Sequence, residues 1–364
     1  MAHTAHKTKE AMEEHFEEVG MIKEKAKRLA EMIKNAKHVV FFTGAGISCS
    51  AGIPSYRGPE GVWTLRAQGK KRTKPTTPIT KALPTPTHMA MKEMIDKGLA
   101  HHVISQNVDG LHIKSGISPK NISELHGNTN LERCEKCGDR YYRDFRVRRH
   151  TNHVHDHKTG RQCHCGGSLR DSIINFNENL DEDVLAMATA HAYEADLMIS
   201  LGSSLTVSPA NSLVGTVAER EKHVAIVNLQ KTPYDKYATL HCHTKVDEFM
   251  KFVCENLNLT IPEWRLKRQL TIETKKDMTK VQGHDVVAAP FSYIRTCTVA
   301  NKELKKEPYA FKASLNSNVK IQLEFYHHYK EPNLVFNHRI RPGKVTYELQ
   351  FNYFKGTWSI KEFA

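Results

Sequence analysis

The sequence predicts an α/β protein. Its core is a doubly wound, mostly parallel sheet carrying a small cysteine-rich insert, and an antiparallel β module follows it. Three observations carry this reading. First, from residue 39 to about 260, short apolar runs alternate with helix-like segments: Val39-Val40-Phe41-Phe42, His102-Val103-Ile104-Ser105, Leu197-Met198-Ile199-Ser200-Leu201 and Val224-Ala225-Ile226-Val227. That rhythm marks parallel strands separated by crossover helices. Second, past Pro262 the period becomes two, in Ile321-x-Leu323-x-Phe325 and Val345-x-Tyr347-x-Leu349-x-Phe351-x-Tyr353, as half-buried antiparallel strands require. Third, residues from about 130 to 170 are rich in Cys, His and Arg and poor in apolar side chains.

In chain order, residues 1–36 form an N-terminal helical segment, of which 8–36 are rich in Glu, Lys, Ala and Met. Phe16, Val19, Ile22, Ala26, Leu29 and Ile33 recur there at three- and four-residue spacing, which predicts an amphipathic helix. Residues 37–261 make the α/β domain, with the insert at about 130–170. The charged stretch 262–284 reads as a linker, and 285–364 as a separate β module with turns at Pro332 and Pro342-Gly343.

A chain of 364 residues suits a large domain plus a smaller one. The formal charge of +13 points to acidic partners such as nucleic acid or chromatin, or else to a solubilising basic surface. No apolar run has membrane-spanning length and no signal peptide is evident, so no membrane partner is expected. The eight cysteines then read as thiols or metal ligands in a reducing, intracellular setting.

Each strand ends in small or polar residues. Val39–Phe42 runs into Thr43-Gly44-Ala45-Gly46-Ile47-Ser48, then Ile53-Pro54-Ser55-Tyr56-Arg57-Gly58. Closely spaced glycines let backbone N–H groups approach a phosphate, and a cation fifteen residues past the strand suits a diphosphate; an ordinary tight turn is the plain alternative. The dehydrogenase fingerprint does not fit, because Cys49 stands at its third glycine, and there is no P-loop motif. The second strand ends in Gln106-Asn107-Val108-Asp109, the third in Gly202-Ser203-Ser204, the fourth in Asn228-Leu229. Amides address carboxamide or ribose groups, and a Gly-Ser-Ser turn addresses phosphate and ribose. His126, beside Gly127, supplies a side chain able to move a proton near neutral pH.

Cys134-x-x-Cys137 and Cys163-x-Cys165 lie 25 residues apart, on turns containing Gly138, Gly166 and Gly167. Four thiolates suit a closed tetrahedral Zn²⁺, a structural metal, which makes 130–170 a zinc-binding insert. His150, His153, His155, His157 and His164 are rival ligands or a solvated basic loop. Trp63 reads as core, and Lys70-Lys71-Arg72-Thr73-Lys74 as a solvated loop or, alternatively, a nuclear signal or DNA contact.

Together, Thr43–Gly58, Gln106-Asn107-x-Asp109, Leu125-His126-Gly127-Asn128, Gly202-Ser203-Ser204 and Val227-Asn228 resemble the sirtuins, NAD-dependent protein lysine deacylases, over about residues 36–261. Gly58-Pro59-x-Gly61-Val62-Trp63, Leu169-Arg170-Asp171 and Ile261-Pro262 further resemble the branch with the animal nuclear and nucleolar members. The resemblance implies a Rossmann-like sheet, NAD as co-substrate, acylated proteins (histones among them) as substrates, and nuclear placement. It implies that Gly44, Ala45, Gly46, Ser48 and Arg57 face the NAD diphosphate and neighbouring ribose, with Ile53 and Tyr56 enclosing the reacting ribose. Gln106, Asn107 and Asp109 would serve the nicotinamide-ribose end, with Asn107 catalytic. Gly202, Ser203, Ser204, Asn228 and Leu229 would hold the adenosine half, and Val246 would lie near the adenine. An acyl-lysine oxygen would attack the ribose carbon as nicotinamide leaves. His126 would then take a proton from the ribose hydroxyl that attacks the resulting imidate. Asn175-Phe176-Asn177-Glu178 and Val207-Ser208 would hold the peptide as an added strand.

Two residues depart from the family pattern: Ser55 replaces the usual Asp, and Asn177 the usual Gly. Transfer of ADP-ribose from NAD to protein and a non-enzymatic NAD-binding scaffold are the competing functions.

Overall fold

The computed structural model describes residues 12–148, 155–285, 293–327 and 329–363. The described residues divide into two compact units. One comprises the chain up to Leu131 with Arg148–Arg161 and Leu169–Glu263; the other comprises Glu132–Val147, Gln162–Ser168 and the chain from Trp264.

The strands of the first unit's principal sheet are β1 (Val39–Thr43), β2 (His102–Ser105) and β3 (Ile122–Glu124), and later β8 (Leu197–Leu201), β9 (His223–Val227) and β10 (Leu240–Cys242). The insert between them carries β4 (Leu131–Cys134), β5 (Arg140–Tyr142), β6 (Lys158–Gln162) and β7 (Ser168–Asp171). The principal sheet is parallel throughout, in the order β10-β9-β8-β1-β2-β3. The expected doubly wound sheet is therefore present. β1, β2 and β8 are buried along their whole length, so both faces of the sheet are covered and their sequences are nearly continuous apolar runs. Val40, Phe42, Ile104, Met198, Val224 and Ile226 share one cluster with Ala188 and Ala192 of the helix Glu182–Glu194 and with Val214 and Val217 of Ser212–Glu219. The order runs β1-β2-β3 outward on one side and β8-β9-β10 outward on the other. The chain therefore reverses direction across the sheet between β1 and β8, where open α/β sheets place their ligands.

The N-terminal expectation needs correction. The helix begins at Val19, and its buried stripe is Ile22, Ala26, Leu29, Ala30 and Ile33. Phe16 lies ahead of it at 64% exposure, outside that stripe. Residues 13–18 are non-helical and bond backbone to backbone instead, His15 N–H to the Leu229 carbonyl at 2.8 Å and Glu17 N–H to that of His243 at 3.0 Å.

In the second unit, the stretch read as a charged linker is a hairpin. β11 (Leu266–Lys275) and β12 (Met278–Asp285) pair antiparallel and join β13 (Ile294–Val299), β14 (Lys302–Leu304), β15 (Tyr309–Lys312), β16 (Asn318–Phe325), β17 (Leu334–Arg339), β18 (Gly343–Asn352) and β19 (Thr357–Phe363). Two antiparallel sheets result, β15-β12-β11-β18-β19 and β14-β13-β16-β17. Their shared core includes Leu270, Ile272, Val281, Ile321, Leu323, Phe325, Val345, Tyr347 and Leu349. The period-two pattern of β16 and β18 is the one expected. In β11 the inward residues Leu266, Leu270 and Ile272 are interleaved with Lys267, Gln269 and Glu273, and Arg268 also faces inward, which hid the strand among charges.

Candidate active site

The turns at the carboxyl ends of β1 and β8 pack back to back. Gly44 N–H donates to the Leu201 carbonyl at 3.0 Å, and Gly46 N–H donates to that of Gly202 at 2.9 Å. A Cβ on Gly44 or Gly46 would lie 2.7 Å from backbone atoms of Gly202 or Ser203, so glycine is demanded first by the meeting of the two turns. Gly202 also has φ +62°, and its own Cβ would stand 2.7 Å from Gly46 Cα and Ile47 N. Gly202→Ala is therefore expected to cost about 2–4 kcal/mol, the left-handed penalty plus forced backbone displacement. Urea denaturation checks this; an unchanged midpoint would mean the turns can separate freely.

Beside them, Gln106 N–H continues the β1–β2 ladder to the Thr43 carbonyl at 3.0 Å, and Asn107 Nδ2 donates to the Gly44 carbonyl at 3.0 Å. The Asn107 amide is thus locked to the glycine turn. Gln106 Nε2 is buried with no hydrogen-bond partner among the described residues.

His126 follows β3. Its Nδ1 lies 2.9 Å from the Gln106 carbonyl oxygen, which can only accept, so Nδ1 carries the proton and Nε2 keeps the lone pair. Burial pushes the imidazole pKa below its ordinary value, and the Gln106 carbonyl partly opposes that shift. The ring is a neutral base at physiological pH. Gly127 sits at φ +79°, where a Cβ would collide with the Ser172 carbonyl oxygen at 1.8 Å. The glycine thus lets residues 172–174 pass close to the histidine, and the Ile174 N–H donates to the His126 carbonyl at 3.0 Å.

All these parts open onto one cavity of about 880 Å³. Of the expected site residues, Gly44, Ala45, Gly46, Ile53, Tyr56, Arg57, Gln106, Asn107, His126, Gly202, Ser203, Ser204, Asn228, Leu229 and Val246 line it. Ser48 and Asp109 do not. Ser48 Oγ donates to Asp109 Oδ2 at 2.7 Å, and Leu111 N–H donates to Oδ1 at 2.9 Å, so the pair braces the wall from behind. Burial raises the Asp109 pKa, which these bonds offset in part. The Arg57 guanidinium stacks over Trp63, 4.9 Å from the ring centroid, and its burial brings its pKa down to about 10. A bound anion would offset that cost.

The two departures from the family pattern are accommodated locally. Asn177 adopts φ 70°, the left-handed conformation that glycine takes freely and asparagine tolerates best among side-chain-bearing residues. Ser55 Oγ donates to the Arg57 carbonyl at 2.8 Å and closes the turn before the arginine. Asn175–Glu178 and Val207-Ser208 line the same cavity.

Several lining residues were not anticipated. Trp63, read as core, stands between Tyr56 at 4.6 Å and Phe176 at 5.4 Å between ring centroids, making an aromatic wall. Arg72 and Lys74 line the cavity and contact Glu60 from a run that is otherwise exposed, as a solvated loop would be. Asp247 accepts from Ser50 Oγ at 2.5 Å and from Thr87 N–H at 3.0 Å, partners 197 and 160 residues away that no local pattern could reveal. Glu14 lines the cavity from the N-terminal segment.

In the second unit, Cys134, Cys137, Cys163 and Cys165 bring their sulfurs within 4.8 Å of one another. The Cys134–Cys165, Cys137–Cys163 and Cys137–Cys165 pairs are each 3.5 Å apart. Tetrahedral Zn–S bonds of about 2.3 Å place sulfurs about 3.8 Å apart, so the donor set fits a closed structural zinc. The N–H groups of Lys136 and Cys137 point at Cys134 Sγ, and Tyr141 Oη lies 3.0 Å from Cys163 Sγ. His155 and His157 are engaged by Glu178, and His157 also by Asp171. His164 bonds Tyr141 at 2.9 Å. His150 and His153 lie outside the described residues.

Residues 70–209 match the model of the Sir2 family. NAD-dependent protein deacetylase SRT1 of Arabidopsis thaliana is 42% identical over 256 residues, 70% of this chain and 53% of that protein. NAD-dependent protein deacetylase Sirt6 of Drosophila melanogaster is 40% identical over 270 residues, 72% of this chain and 84% of that one. Human NAD-dependent protein deacetylase sirtuin-7 is 42% identical over 70% of this chain and 66% of its own length. The chain thus spans about half to two thirds of the plant and human relatives. A solved Sir2 structure holding a deacetylated p53 peptide and 3'-O-acetyl ADP-ribose superposes with a TM-score of 0.51 at 30% identity, over 64% of this chain and 99% of that one.

Proposed function

From the chain's membership of the Sir2 family, we propose that it is an NAD-dependent protein lysine deacylase that passes the acyl group of an acyl-lysine to ADP-ribose and releases nicotinamide. The observation that carries this reading is the imidazole of His126, held as a neutral base in the same cavity as the glycine turns and the Gln106-Asn107 amides.

Gly44, Ala45, Gly46 and Arg57 would meet the diphosphate, and Gly202, Ser203, Ser204, Asn228, Leu229 and Val246 the adenosine half. Tyr56 and Ile53 would enclose the nicotinamide ribose. Asn107 would hold its hydroxyls through the amide oxygen left free of the Gly44 bond, and Gln106 Nε2 would supply the donor at that end. Ser48 and Asp109 act in this reading by fixing the wall. A carbonyl oxygen is a weak nucleophile, so the site's main contribution is to hold it against the ribose carbon while excluding water. Nicotinamide leaves with the bonding pair, and His126 Nε2 accepts the proton of the ribose hydroxyl that captures the acyl carbon. The zinc of the four-cysteine site would be structural.

Catalysis is assigned to residues 37–261, with the C-terminal β module as an appended unit. The charge of +13 and the resemblance of the sequence motifs to the family branch with nuclear members support a nuclear, chromatin-associated setting with histones among the substrates. Among the described residues no helix is long and apolar enough to cross a membrane.

Mass spectrometry of an acetyl-lysine peptide incubated with NAD and the protein tests the reading. The expected products are deacetylated peptide, acetyl-ADP-ribose and nicotinamide. Protein gaining ADP-ribose would support transferase activity instead. No NAD-dependent change with acyl chains of several lengths would leave only a scaffold.

A further inference from the structure

We propose that Asp235, His241 and His243 form a second metal site, separate from the four cysteines, that takes a divalent ion of borderline softness such as Zn²⁺. One ligand atom from each lies within 4.8 Å of the others. His241 and His243 are two apart on the extended segment around β10, which places both imidazoles on one side of the chain. Their rings meet edge to face at 4.1 Å.

Two outer contacts already hold these groups as a metal site needs. His243 Nδ1 lies 2.8 Å from the Asn228 carbonyl oxygen, so Nδ1 donates its proton there and Nε2 carries the free lone pair. The Asp235 carboxylate is steadied by Thr232, whose N–H donates at 3.0 Å and whose hydroxyl donates at 2.6 Å. His241 Nε2 is buried with no hydrogen-bond partner among the described residues, 3.6 Å from Asp235 Oδ2. Two imidazoles and a carboxylate form a donor set for zinc with a fourth position to spare. His15, whose ring centroid is 5.0 Å from that of His243 and whose Nε2 is likewise buried without a hydrogen-bond partner among the described residues, is the candidate for that position.

The site would act on the cavity wall. Asn228 and Leu229 line the cavity, and the His243 ring is bonded to the first of them. The N-terminal segment bonds to both Leu229 and His243, and its Glu14 lines the cavity as well. An ion joining Asp235, His241 and His243 would therefore fasten the connection that follows β9 to β10 behind the wall.

Equilibrium dialysis of the full chain against graded free Zn²⁺, with metal counted by mass spectrometry, tests the proposal. Wild type is expected to hold one tight equivalent at the cysteines and to take up a second at micromolar free zinc. His241→Ala and His243→Ala should lose the second and keep the first, whose retention reports that the variant is folded. Thr232→Val, which removes the hydroxyl that donates to Asp235 and accepts from the Tyr234 N–H, should weaken the second equivalent by about 10-fold. If an alanine variant fails to fold, His241→Gln carries the same test. A single equivalent in wild type, or a second retained by H241A/H243A, overturns the proposal.

Discussion

His126→Ala is expected to lower kcat/KM for NAD-dependent deacylation by about 10²–10⁴-fold, the usual contribution of a positioned general base. NAD binding should survive within a few-fold. The glycine turns and the Asn107–Gly44 bond do not depend on the imidazole, which touches the Gln106 turn only through one carbonyl. The pH profile gives a second, independent readout. The working form of His126 is neutral, and burial lowers its pKa from the ordinary value of 6.5. Base function is therefore complete above that value and persists some way below it, declining only as pH falls through the depressed pKa. The acid limb of kcat/KM should accordingly inflect below 6.5 and be missing from the residual activity of the alanine variant. An acid limb at or above 6.5, or a variant keeping more than a tenth of wild-type activity, would remove His126 from the role. Calorimetric titration of NAD into both proteins separates a lost base from a lost binding site.

What could be read in the sequence depended on how local the physical constraint is. A parallel strand covered on both faces must be a run of apolar residues, and its end must be small or polar. The strand ends of β1, β2, β8 and β9 were therefore visible along with most of the cavity they line. β3 and β10 are three residues each, too short for any periodicity. The hairpin β11–β12 was hidden because its outward positions carry Lys267 and Glu273, and because Arg268 faces inward against expectation. Asp247 and Glu14 reach the cavity only through tertiary approach, and nothing adjacent in sequence marks them. Ser48 and Asp109 illustrate a different limit. Their residue types suit ligand binding, yet once buried together they satisfy one another, and only coordinates distinguish a wall from its brace. Access to a phosphate is the demand the sequence suggests for Gly44 and Gly46, while the more immediate one is the 2.7 Å approach of the neighbouring turn.

Cys137→Ser and Cys163→Ser should each remove the tightly held zinc equivalent and unfold the insert, because the metal replaces a hydrophobic core there. Structural zinc contributes about 10–16 kcal/mol of apparent binding free energy in small zinc domains, more than so small an insert can recover by packing. The loss should not stay confined to it. Arg268 of β11 lies 3.6 Å from Asp144 of the insert, and the two side chains are only 6% and 5% exposed. Arg268 also faces the ring of Tyr293 at 5.2 Å, next to the core of the two antiparallel sheets. Unfolding the insert withdraws Asp144 and leaves a guanidinium buried in the β module without that carboxylate. Breaking a buried pair in this way typically costs about 3–5 kcal/mol. The module's own melting transition should therefore move down when the cysteines are changed. Arg268→Met is expected to lessen that shift, since it removes the charge that Asp144 faces while keeping an apolar stem of similar reach. Hydrogen exchange of β11 and β18 amides, compared between wild type and Cys137→Ser, gives the measurement. Unchanged protection in those strands after zinc loss would show that insert and module fold independently and that the Asp144–Arg268 pair carries no coupling.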